Sequence, residues 1–428
     1  MRILVLTNFY PPHSLGGMEL SCQETVQALV TLGHSVKILT SNHGVRGPSV
    51  DGIVSRVLNL EMELSPLRNA WRMLLRHRAD LAESRRALRQ SIEEFDAEVV
   101  FIWGMWNLPK QLAADAEKLM QGRVLYRFAD YWPTLSSQHI QYWRAPGRTL
   151  ATRIARRALA PAAIKILEPS EGIGLQYPHA YCVSQGVHSR LLEDGIPVSH
   201  ASVIHNGIDL GRFNGSNSQV ELAPDLLHRI LYVGRISPEK GLFVLLRAVE
   251  ILARKASDHA WKVTIAGGGA PDYVSQVTEM VDRLELASFV TYLGERPTQE
   301  IPNLMYEHGV VVIPSLWDEP FPRTALEAMA SGRLVVASRV GGLPEIIDHE
   351  RTGLLAPAGD SVELARTLEA VQERPRFAQR MASDGRKSVE DQFMIRHMME
   401  HLEEALHHAA YSARTSLEAP VGYQQADN

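Results

Sequence analysis

Short apolar runs alternate with amphipathic stretches along most of the chain. Arg2–Thr7 is a nearly continuous apolar run, which predicts a buried strand. Glu19–Leu32 places apolar residues at helical spacing and stops before Gly33, and Ser35–Thr40 predicts the next strand. This strand–helix–strand order is typical of a parallel sheet with helices packed on its faces.

The same alternation recurs in both halves of the chain. Further strands are predicted at Glu98–Trp103, Arg123–Arg127, His179–Ser184 and Ala201–His205, and then at Arg229–Val233, Lys262–Ala266, Phe289–Leu293, Gly309–Pro314 and Leu334–Ala337. Helices are predicted at Gly241–Lys255, Asp272–Leu286, Pro297–Glu307, Thr324–Ser331 and throughout Ser361–Ala413. Two consecutive series of this kind predict an α/β fold with two doubly wound domains.

The length of 428 residues suits two or three domains. We place the main boundary in Asn206–Ser218, a stretch rich in Gly, Asn and Ser that suits a linker. We therefore expect an N-terminal domain at 1–205, a second domain at 206–390 and a C-terminal helix at 391–414 that packs back on the first domain. The polar residues 415–428 are expected to form a disordered tail.

Composition and charge narrow the class of protein. Hydrophobic residues make up 45% of the chain and charged residues 22%, so each domain can bury a core. The net charge of −5 does not favour a nucleic-acid partner. Cys22 and Cys182 lie in no metal-binding spacing, and we expect two buried thiols rather than a disulfide or a zinc site.

The sequence shows no secretory signal and no membrane span. The N-terminal apolar run is ended early by Pro11 and Pro12, and no run reaches the ~20 apolar residues that a spanning helix needs. We therefore expect a cytoplasmic protein, either free or at the inner face of the membrane.

One segment of the second half combines two acids with a helix start. The strand GVVVIP runs into the loop SLWDEPFPR, which carries Glu319, and into a helix that carries Glu327. The amide groups of Arg323, Thr324 and Ala325 would begin that helix and could bind an anion. Carboxylates accept hydrogen bonds from sugar hydroxyls, so the segment could hold a sugar and a phosphate together. On these residues alone, an ordinary pair of solvated acids is an equally good interpretation.

Cations and glycine turns follow other predicted strands. LYVGRISPEKG places Arg235 and Lys240 in a tight loop before a helix, where two cations suit a diphosphate. TIAGGG, at Thr264–Gly269, and the pair Gly16 and Gly17 would let the backbone approach a ligand closely, although each could equally be a simple turn. All of these motifs lie beyond the carboxyl ends of predicted strands, where open α/β sheets bind ligands.

In this order the motifs resemble those of the GT-B retaining glycosyltransferases of family GT4, the glycosyl transferases group 1 family. The resemblance rests on the GG loop, HNGIDLGRF, LYVGRISPEKG, VTIAGGG, the E-x7-E segment and VGGLPEIIDHERTGLL. It implies two Rossmann-like domains that face a central cleft, with the C-terminal helix returning to the N-terminal, acceptor-side domain.

The resemblance also implies roles for individual residues. Arg235 and Lys240 would stabilise the departing diphosphate, Glu319 would contact the transferred sugar, and Glu327 would bind the donor ribose. The donor-binding set that it implies is Gly16, Gly17, Arg235, Lys240, Leu293, Glu319, Arg323, Thr324, Ala325 and Glu327. The co-substrate would be a UDP- or GDP-type sugar nucleotide, and no metal or other cofactor is expected.

The segment RFADYWP departs from the family pattern. Many members carry a His where this chain has Ala129, directly before Asp130. Asp130 or another nearby group would then take over from the missing His, and Asp130 would join Glu319, Arg235 and Lys240 as a catalytic residue. The alternatives are that the acceptor supplies the group that the His would provide, or that activity is low. His139 follows soon after in sequence and is expected to be a surface residue.

Two Arg-rich segments, 67–90 and 144–157, lie in the half that would bind the acceptor. Peripheral contact with anionic lipid is one interpretation. We favour the other, an amphipathic surface helix whose basic face is solvated and balanced by acids such as Asp80 and Glu83.

We expect a retaining glycosyltransferase that moves a hexose-type sugar from a nucleoside-diphosphate donor to a hydroxyl of a glycan, a glycolipid or a small molecule, as in polysaccharide biosynthesis. The alternatives are a sugar-nucleotide epimerase or phosphorylase on the same fold, and a catalytically silent sugar-nucleotide-binding subunit. A nicotinamide oxidoreductase is disfavoured, because neither half shows a GxGxxG turn with a following acid.

Overall fold

The computed structural model describes residues 1–13, 16–45, 47–62, 70–145, 150–167, 173–213, 221–255 and 261–415. The chain divides into two units. Unit 1 comprises Met1–Cys182, His188–Ile204 and the chain from Met399 onward, and unit 2 comprises Val183–Val187 and His205–Met398.

The strands form two sheets, one in each unit. The first contains β1 (Arg2–Thr7), β2 (Ser35–Ser41), β3 (Ser49–Asp51), β4 (Val54–Leu58), β5 (Val99–Gly104), β6 (Val124–Phe128), β7 (His179–Cys182) and β8 (Ser202–Val203). The second contains β9 (Arg229–Val233), β10 (Lys262–Ala266), β11 (Val290–Gly294), β12 (Val310–Ile313), β13 (Leu334–Ser338) and β14 (Leu354–Ala356).

Helices connect most of these strands. They are α1 (Gly17–Thr31), α2 (Ala70–Phe95), α3 (Lys110–Met120), α4 (Gln138–Arg144), α5 (Leu150–Leu167), α6 (Gln185–Glu193), α7 (Leu242–Lys255), α8 (Pro271–Arg283), α9 (Ile301–Tyr306), α10 (Arg323–Ala330), α11 (Leu343–Ile346), α12 (Ser361–Glu373), α13 (Pro375–Gln392) and α14 (Ile395–Thr415). Local chemistry sets several ends: the Asp360 carboxylate caps α12, and proline opens α8 and α13.

Both sheets are doubly wound, as predicted. The first has the order β3-β4-β2-β1-β5-β6-β7-β8 and is parallel except for the β3–β4 pair. In chain order, the strands are added from β1 outward to the β3 edge of the sheet and then from β5 outward to the β8 edge. The second has the order β11-β10-β9-β12-β13-β14, and all of its strands are parallel. The order of the strands reverses between β9 and β12: one half of the sheet grows outward from β9 and the other half grows outward from β12.

The cores follow from this topology. A parallel sheet covered by helices on both faces buries every residue of its central strands, so these strands are apolar throughout rather than alternating. All residues of β5, β12 and β13 are buried. In α7, the buried face of Leu242, Leu245, Leu246 and Val249 packs on the second sheet.

Some elements differ from the sequence predictions. The strands β3, β4 and β14 were not predicted, because β3 and β14 have only three residues and Ser55 and Arg56 interrupt the apolar residues of β4. The first part of the predicted linker packs within unit 2 instead: Ile208 and Phe213 are each 1% exposed, and the Ile208 amide donates to the Phe393 carbonyl. Residues 214–218 of that linker lie outside the described residues.

The C-terminal helix α14 joins unit 1 from Met399 onward. Leu402 and Leu406 are fully buried, and Nε2 of His34 lies 2.9 Å from the Glu403 carboxylate. Nδ1 of His408 also lies 3.2 Å from Nδ1 of His179 on β7. Residues 416–428 of the predicted tail lie outside the described residues.

The expectation of two buried thiols is confirmed. Cys22 and Cys182 are both free and buried, and burial raises the pKa of both thiols, that of Cys182 to about 12. In the described part of the chain no helix is long and apolar enough to cross a membrane.

The contact between α14 and β7 predicts that acid lowers the stability of the fold. Burial, with His408 and His200 nearby, lowers the pKa of His179 from its ordinary 6.5 to about 4. Between these values the unfolded chain binds more protons than the folded chain, so the free energy of unfolding falls as pH falls from about 6.5 toward about 4. In the His179→Asn variant, urea unfolding across this range should show a shallower loss of stability.

The control is His401→Asn, which changes an exposed histidine of the same helix. Its stability should follow the wild-type dependence on pH. A His179→Asn variant with the wild-type dependence would contradict the assignment.

Candidate functional site

The strand order of unit 2 reverses between β9 and β12, and the loops that leave these strands carry two of the predicted motifs. One loop contains Arg235 and Lys240, and the other contains Glu319. In open α/β sheets such a reversal leaves a crevice at the carboxyl ends of the two strands, which is where ligands bind.

Lys240 and Glu319 meet at this position. Nζ of Lys240 lies 2.6 Å from Oε1 of Glu319, and the Ser315 hydroxyl donates to the same oxygen at 2.5 Å. Glu319 is only 3% exposed, and the Lys240 ammonium lies 5.2 Å from the centre of the Trp317 ring. Because an ammonium group has three donors, this pairing leaves Lys240 able to donate to a ligand as well.

The two loops approach closely through their backbones. The Leu316 amide donates to the Glu239 carbonyl at 2.8 Å. Gly241 has a φ of 70°, and a Cβ atom placed there would lie 1.8 Å from the Pro314 carbonyl oxygen. Glycine therefore permits both the left-handed backbone and the short distance between the loops.

Arg235 has a more exposed environment than Lys240. Its side chain is 62% exposed, and its guanidinium lies 3.6 Å from the Glu239 carboxylate, which accepts a hydrogen bond from the Ser237 hydroxyl. Burial acts to raise the pKa of Glu239, but the Ser237 hydrogen bond and the charges of Arg235 and Lys240 outweigh it and lower the pKa. Arg235 is thus an accessible cation at the edge of the site.

The helix α10 supplies the other predicted groups of the acidic segment. It begins at Arg323, so the amides of Arg323–Ala325 form its first turn, and the Ala325 amide bonds back to the Pro322 carbonyl at 3.2 Å. Glu327 is 8% exposed and lies 3.5 Å from Nε of Arg323. Both acids of the segment are buried, so the interpretation as solvated acids is wrong.

The glycine turn after β10 packs on the loop after β9. The Ile236 amide donates to the Gly268 carbonyl at 2.7 Å, and a Cβ on Gly267 would lie 1.8 Å from the Gly234 carbonyl oxygen. These glycines serve loop packing. Leu293 lies near the end of the edge strand β11 and is half-buried.

Sequence reasoning missed a glycine pair that supports Glu319. Gly341 has a φ of 52°, and a Cβ there would lie 2.2 Å from the Glu319 carbonyl oxygen. The Gly342 amide donates to the same oxygen at 2.7 Å. The segment VGGLPE was part of the family resemblance, but its position against Glu319 had no signal in the sequence.

Glu345 is a second residue that sequence reasoning missed. Its carboxylate accepts hydrogen bonds from the amides of Gln185 and Gly186 at 2.8 and 2.9 Å, and Nε2 of His205 lies 3.1 Å from it. Burial acts to raise the pKa of Glu345, but these hydrogen bonds outweigh it and lower the pKa. The His205 ring also stacks on Phe321, with ring centres 4.8 Å apart.

The predicted residues of unit 1 follow β1 and β6. The Gly16 amide donates to the Glu19 carboxylate at 3.0 Å, and Gly17 is the first residue of α1. The Asp130 carboxylate accepts the Trp132 amide at 3.0 Å. Burial raises the pKa of Asp130, against the opposing effects of that hydrogen bond and of Arg127.

The prediction that His139 is a surface residue is wrong. It lies on α4, is 5% exposed and contacts the His77 ring edge to face, with centres 5.0 Å apart. Burial, with His77 nearby, lowers the pKa of His139 to about 4. A helix of seven residues is too short for its buried face to be read from the sequence.

The first Arg-rich segment is partly neutralised by acids. Arg76 lies 3.3 Å from Asp80 and 3.8 Å from Glu83, and Arg85 lies 2.5 Å from Asp115. Residues 67–69 and 146–149 of the two segments lie outside the described residues.

The predicted site residues thus fall into two sets. Unit 2 holds Arg235, Lys240, Leu293, Glu319, Arg323, Thr324, Ala325 and Glu327, and unit 1 holds Gly16, Gly17 and Asp130. In the ranges that the structure describes, no three His, Cys, Asp or Glu side chains cluster as a metal site requires. The unit 2 set combines cations, a helix start and buried carboxylates, which suits a ligand with both a diphosphate and hydroxyl groups.

Two family models match the chain over adjacent segments. The model described as glycosyl transferases group 1 matches residues 216–388, and the model described as Glycosyltransferase Family 4 matches residues 15–212. Together with the doubly wound units and the site, these matches define a nucleotide-sugar-binding glycosyltransferase of the GT-B type. The chain belongs to the group 1, family 4 glycosyltransferases, and it is a transferase enzyme.

Curated relatives match over different lengths. An uncharacterised glycosyltransferase of Methanocaldococcus jannaschii is 26% identical over 411 residues, 92% of this chain and 94% of that protein. Glycogen synthase of Mycobacterium tuberculosis is 26% identical over 410 residues, 92% of this chain and 91% of that protein. A D-inositol 3-phosphate glycosyltransferase of Corynebacterium kroppenstedtii is 34% identical over 182 residues, only 40% of each chain.

Solved structures share the fold. Sucrose-phosphate synthase from Thermosynechococcus elongatus has a TM-score of 0.69 at 20% identity, covering 95% of this chain and 99% of that chain. Anabaena HepE, in complex with UDP and glucose, has a TM-score of 0.67 at 20% identity with the same coverage. The prediction of GT-B architecture is confirmed.

The contact at Gly241 predicts a specific steric cost. Gly241 and Gly294 have nearly equal φ values, 70° and 72°, but a Cβ on Gly294 would meet nothing within 4 Å. Both alanine variants carry the cost of a left-handed residue, about 1–2 kcal/mol. Gly241→Ala also forces a methyl group against the Pro314 carbonyl, so it should lose about 1–3 kcal/mol more than Gly294→Ala in chemical unfolding. Equal losses in the two variants would show that the loops can separate without cost.

Proposed function

We propose that this enzyme transfers a hexose-type sugar from a UDP- or GDP-type sugar nucleotide to an acceptor hydroxyl with retention of the anomeric configuration. The observation that carries the proposal is the buried Lys240–Glu319 pair at the strand reversal of unit 2. It places a cation and a hydroxyl-binding carboxylate side by side, as a sugar diphosphate requires.

The diphosphate is the part of the donor that gains charge during transfer. Lys240 would donate to it as the bond between the anomeric carbon and the phosphate oxygen breaks, and Arg235 is the accessible second cation. The amides that begin α10 lie in the same acidic segment as Glu319 and suit a phosphate oxygen. These groups meet the charge of the leaving group, so we propose transfer without a metal cofactor.

The carboxylates would position the donor. Glu319 already accepts two short hydrogen bonds and would contact hydroxyls of the transferred sugar. Glu327, one helical turn after Arg323, would accept from the ribose hydroxyls, and Leu293 would lie beside the base.

Retention requires the acceptor oxygen to bond to the anomeric carbon on the face that the diphosphate leaves. The acceptor hydroxyl would pass its proton to the departing phosphate, so that the products are the glycoside and the free nucleoside diphosphate. Asp130 is the candidate group of unit 1 for orienting this hydroxyl, since its raised pKa is typical of functional carboxyls.

The relatives support a sugar nucleotide and leave the acceptor open. HepE was crystallised with UDP-glucose as well as with UDP. The names of the relatives refer to acceptors or products as different as D-inositol 3-phosphate, glycogen and amylovoran.

The proposal is tested by supplying UDP- and GDP-sugars with and without a panel of sugar acceptors. We expect nucleoside diphosphate release that depends on an acceptor, and a product whose anomeric configuration by NMR equals that of the donor. Isomerised donor without nucleotide release would indicate an epimerase instead. Nucleotide binding with no release from any donor would indicate a silent binding subunit, and an inverted product would contradict retention.

Lys240 provides the first site prediction. Lys240→Met removes the cation at the departing diphosphate, and kcat should fall by about 10²–10³-fold, as for the loss of one transition-state donor. The measurement is the steady-state transfer rate at saturating donor. The control is Lys262→Met, which changes an exposed lysine whose ammonium donates to the Ser288 carbonyl, and its kcat should equal that of the wild type.

The loss of Lys240 also leaves Glu319 buried without its ionic partner, which destabilises the fold. Unfolding must therefore be measured on the same protein. A folded Lys240→Met variant with wild-type kcat would refute the role in leaving-group stabilisation.

Glu327 provides the second site prediction. Glu327→Gln removes the charged acceptor for the ribose hydroxyls, and the donor Kd should rise by about 10–100-fold, as expected for a hydrogen bond to a charged group. Calorimetric titration with the preferred donor measures this change. Glu279→Gln, at an exposed position of α8, is the matched control and should bind the donor as the wild type does.

Glu327 also pairs with Arg323, so a structural role must be separated from donor binding. A Glu327→Gln variant that unfolds at a lower temperature but keeps the wild-type donor Kd would make this residue a structural partner of Arg323 only.

A further inference from the structure

Two sequence motifs of unit 2, HNG at 205–207 and VGGLPE at 340–345, have no direct part in the donor contacts. They are joined by the bond of 3.1 Å between Nε2 of His205 and the carboxylate of Glu345, two residues that are 140 positions apart in the chain. Both motifs contact the short segment Glu319–Pro322, which begins with the carboxylate proposed to contact the transferred sugar. The two motifs therefore meet at the part of the donor site that determines where Glu319 lies.

The VGGLPE motif contacts this segment through backbone atoms. The Gly342 amide donates to the Glu319 carbonyl at 2.7 Å. Cβ atoms on Gly341 and Gly342 would lie 2.2 Å and 2.3 Å from the carbonyl oxygens of Glu319 and Pro320. The Glu345 amide in turn donates to the Gly342 carbonyl at 3.1 Å. Because no side chain separates the two backbones, a displacement of α11 would displace Glu319 as well.

The HNG motif contacts the same segment at Phe321, two residues after Glu319. The His205 ring stacks on the Phe321 ring, with centres 4.8 Å apart and planes 11° from parallel. The Asn206 side-chain amide donates to the Phe321 carbonyl at 3.4 Å. Phe321 is only 4% exposed. Its ring and its backbone are thus both held by consecutive residues of one motif.

The Glu345 carboxylate connects the two contacts. Besides His205 it binds the amides of Gln185 and Gly186, at 2.8 and 2.9 Å. A Cβ on Gly186 would lie 3.1 Å from the Gly341 carbonyl carbon, so these residues also pack against the glycine pair. The lowered pKa of Glu345 keeps the carboxylate ionised at neutral pH, and hydrogen bonds to an ionised acceptor are stronger than neutral ones.

The position of Glu319 matters because only one of its oxygens is available to a ligand. Lys240 and Ser315 both donate to Oε1, and among the described residues no donor bonds to Oε2. A hydrogen bond from a hydroxyl to this oxygen is lost when the distance grows by about 1 Å. A site built to bind one hydroxyl discriminates against a sugar whose hydroxyl points elsewhere. Such discrimination requires that the segment around Glu319 be held in place.

We infer that His205 and Glu345 form a positioning pair that sets the selectivity of the enzyme between epimeric sugar donors. The pair acts through Phe321 and the glycine pair, which fix the position of Glu319. The inference rests on the proposed function, in which Glu319 contacts the transferred sugar. It adds the residues that decide how strictly one sugar is preferred over its epimer.

The experiment measures binding to the full chain by titration calorimetry. The ligands are UDP with UDP-glucose and UDP-galactose, and GDP with GDP-mannose and GDP-glucose. The two sugars of each pair differ only in the direction of one hydroxyl. We expect the wild type to prefer one sugar of a pair by about tenfold or more in Kd, because the site is built around a hydroxyl. Equal affinity within both pairs would overturn the inference.

Two variants break the pair in different ways. His205→Phe keeps a ring on Phe321 and removes the bond to Glu345, and Glu345→Gln keeps the shape of the side chain and removes its charge. Each should reduce the epimer preference by about fivefold or more, as expected for the loss of a hydrogen bond to a charged group. The Kd of UDP or GDP should stay at the wild-type value, since neither carries the sugar. An unchanged preference in both variants would overturn the inference.

The double variant tests whether the two residues act together. Because both changes break the same bond, the double variant should lose no more preference than the stronger single variant. Losses that add would show that His205 and Glu345 act independently, which would refute a pair. Should Glu345→Gln not fold, His205→Phe still decides whether the preference depends on this bond.

The matched control is Asp360→Asn. Like Glu345, the Asp360 carboxylate accepts two amides at the start of a helix, those of Val362 and Glu363, each at 3.0 Å. The variant therefore loses a helix cap and some stability, but its epimer preference should be that of the wild type. Thermal unfolding is measured for every variant. An equal loss of preference in Asp360→Asn would show that general destabilisation explains the effect, and the pair would have no positioning role.

Glu319→Gln separates this inference from the proposed function. If this variant keeps the wild-type epimer preference, Glu319 does not contact the sugar, and both the proposed role of Glu319 and the positioning pair fail. If it loses the preference while His205→Phe and Glu345→Gln keep it, only the positioning pair fails and the role of Glu319 stands. Loss of the preference in all three variants, with the Kd of UDP or GDP unchanged in His205→Phe and Glu345→Gln, is the expected result.

Discussion

The site of unit 2 depends on one buried ion pair, that between Lys240 and Glu319. Removing two charges from water is costly, and the cost is met only with close geometry and further hydrogen bonds. Here the distance is 2.6 Å, and Ser315 supplies an additional donor to the carboxylate. The loops that carry the two residues can approach so closely because glycines stand at their contacts. The strand order that brings β9 beside β12 is therefore needed before any of the site chemistry.

The sequence predicted the parts of this site better than their arrangement. Apolar runs and glycine turns indicated the parallel strands, and the motifs indicated Lys240 and Glu319 as separate candidates. Their contact spans 79 residues and depends on β9 pairing with β12, which no local pattern encodes. The same holds for Glu345, whose partners lie up to 160 residues away. The burial of His139 was also out of reach, since it follows from tertiary packing of a short helix.

Charge is distributed unevenly in a way that the net value of −5 conceals. Around Lys240 and Arg235 the cations are available for an anionic ligand. On α2, by contrast, the Arg76 guanidinium is already paired with Asp80 and Glu83. The number of arginines in α2 therefore overstates the positive charge of its surface, because neighbouring acids neutralise part of that charge.

The contacts of the Glu345 carboxylate bear on whether unit 2 can be expressed as a separate fragment. Its three partners, the amides of Gln185 and Gly186 and the ring of His205, all precede residue 206. The chain enters unit 2 at Val183, leaves it after Val187, and returns at His205. A fragment expressed from 206 to 390 would therefore carry an ionised, half-enclosed acid without any of its donors. Unit 2 is a continuous body built from a discontinuous chain, and an autonomous version of it would need its missing segment supplied as a separate peptide or grafted on by circular permutation.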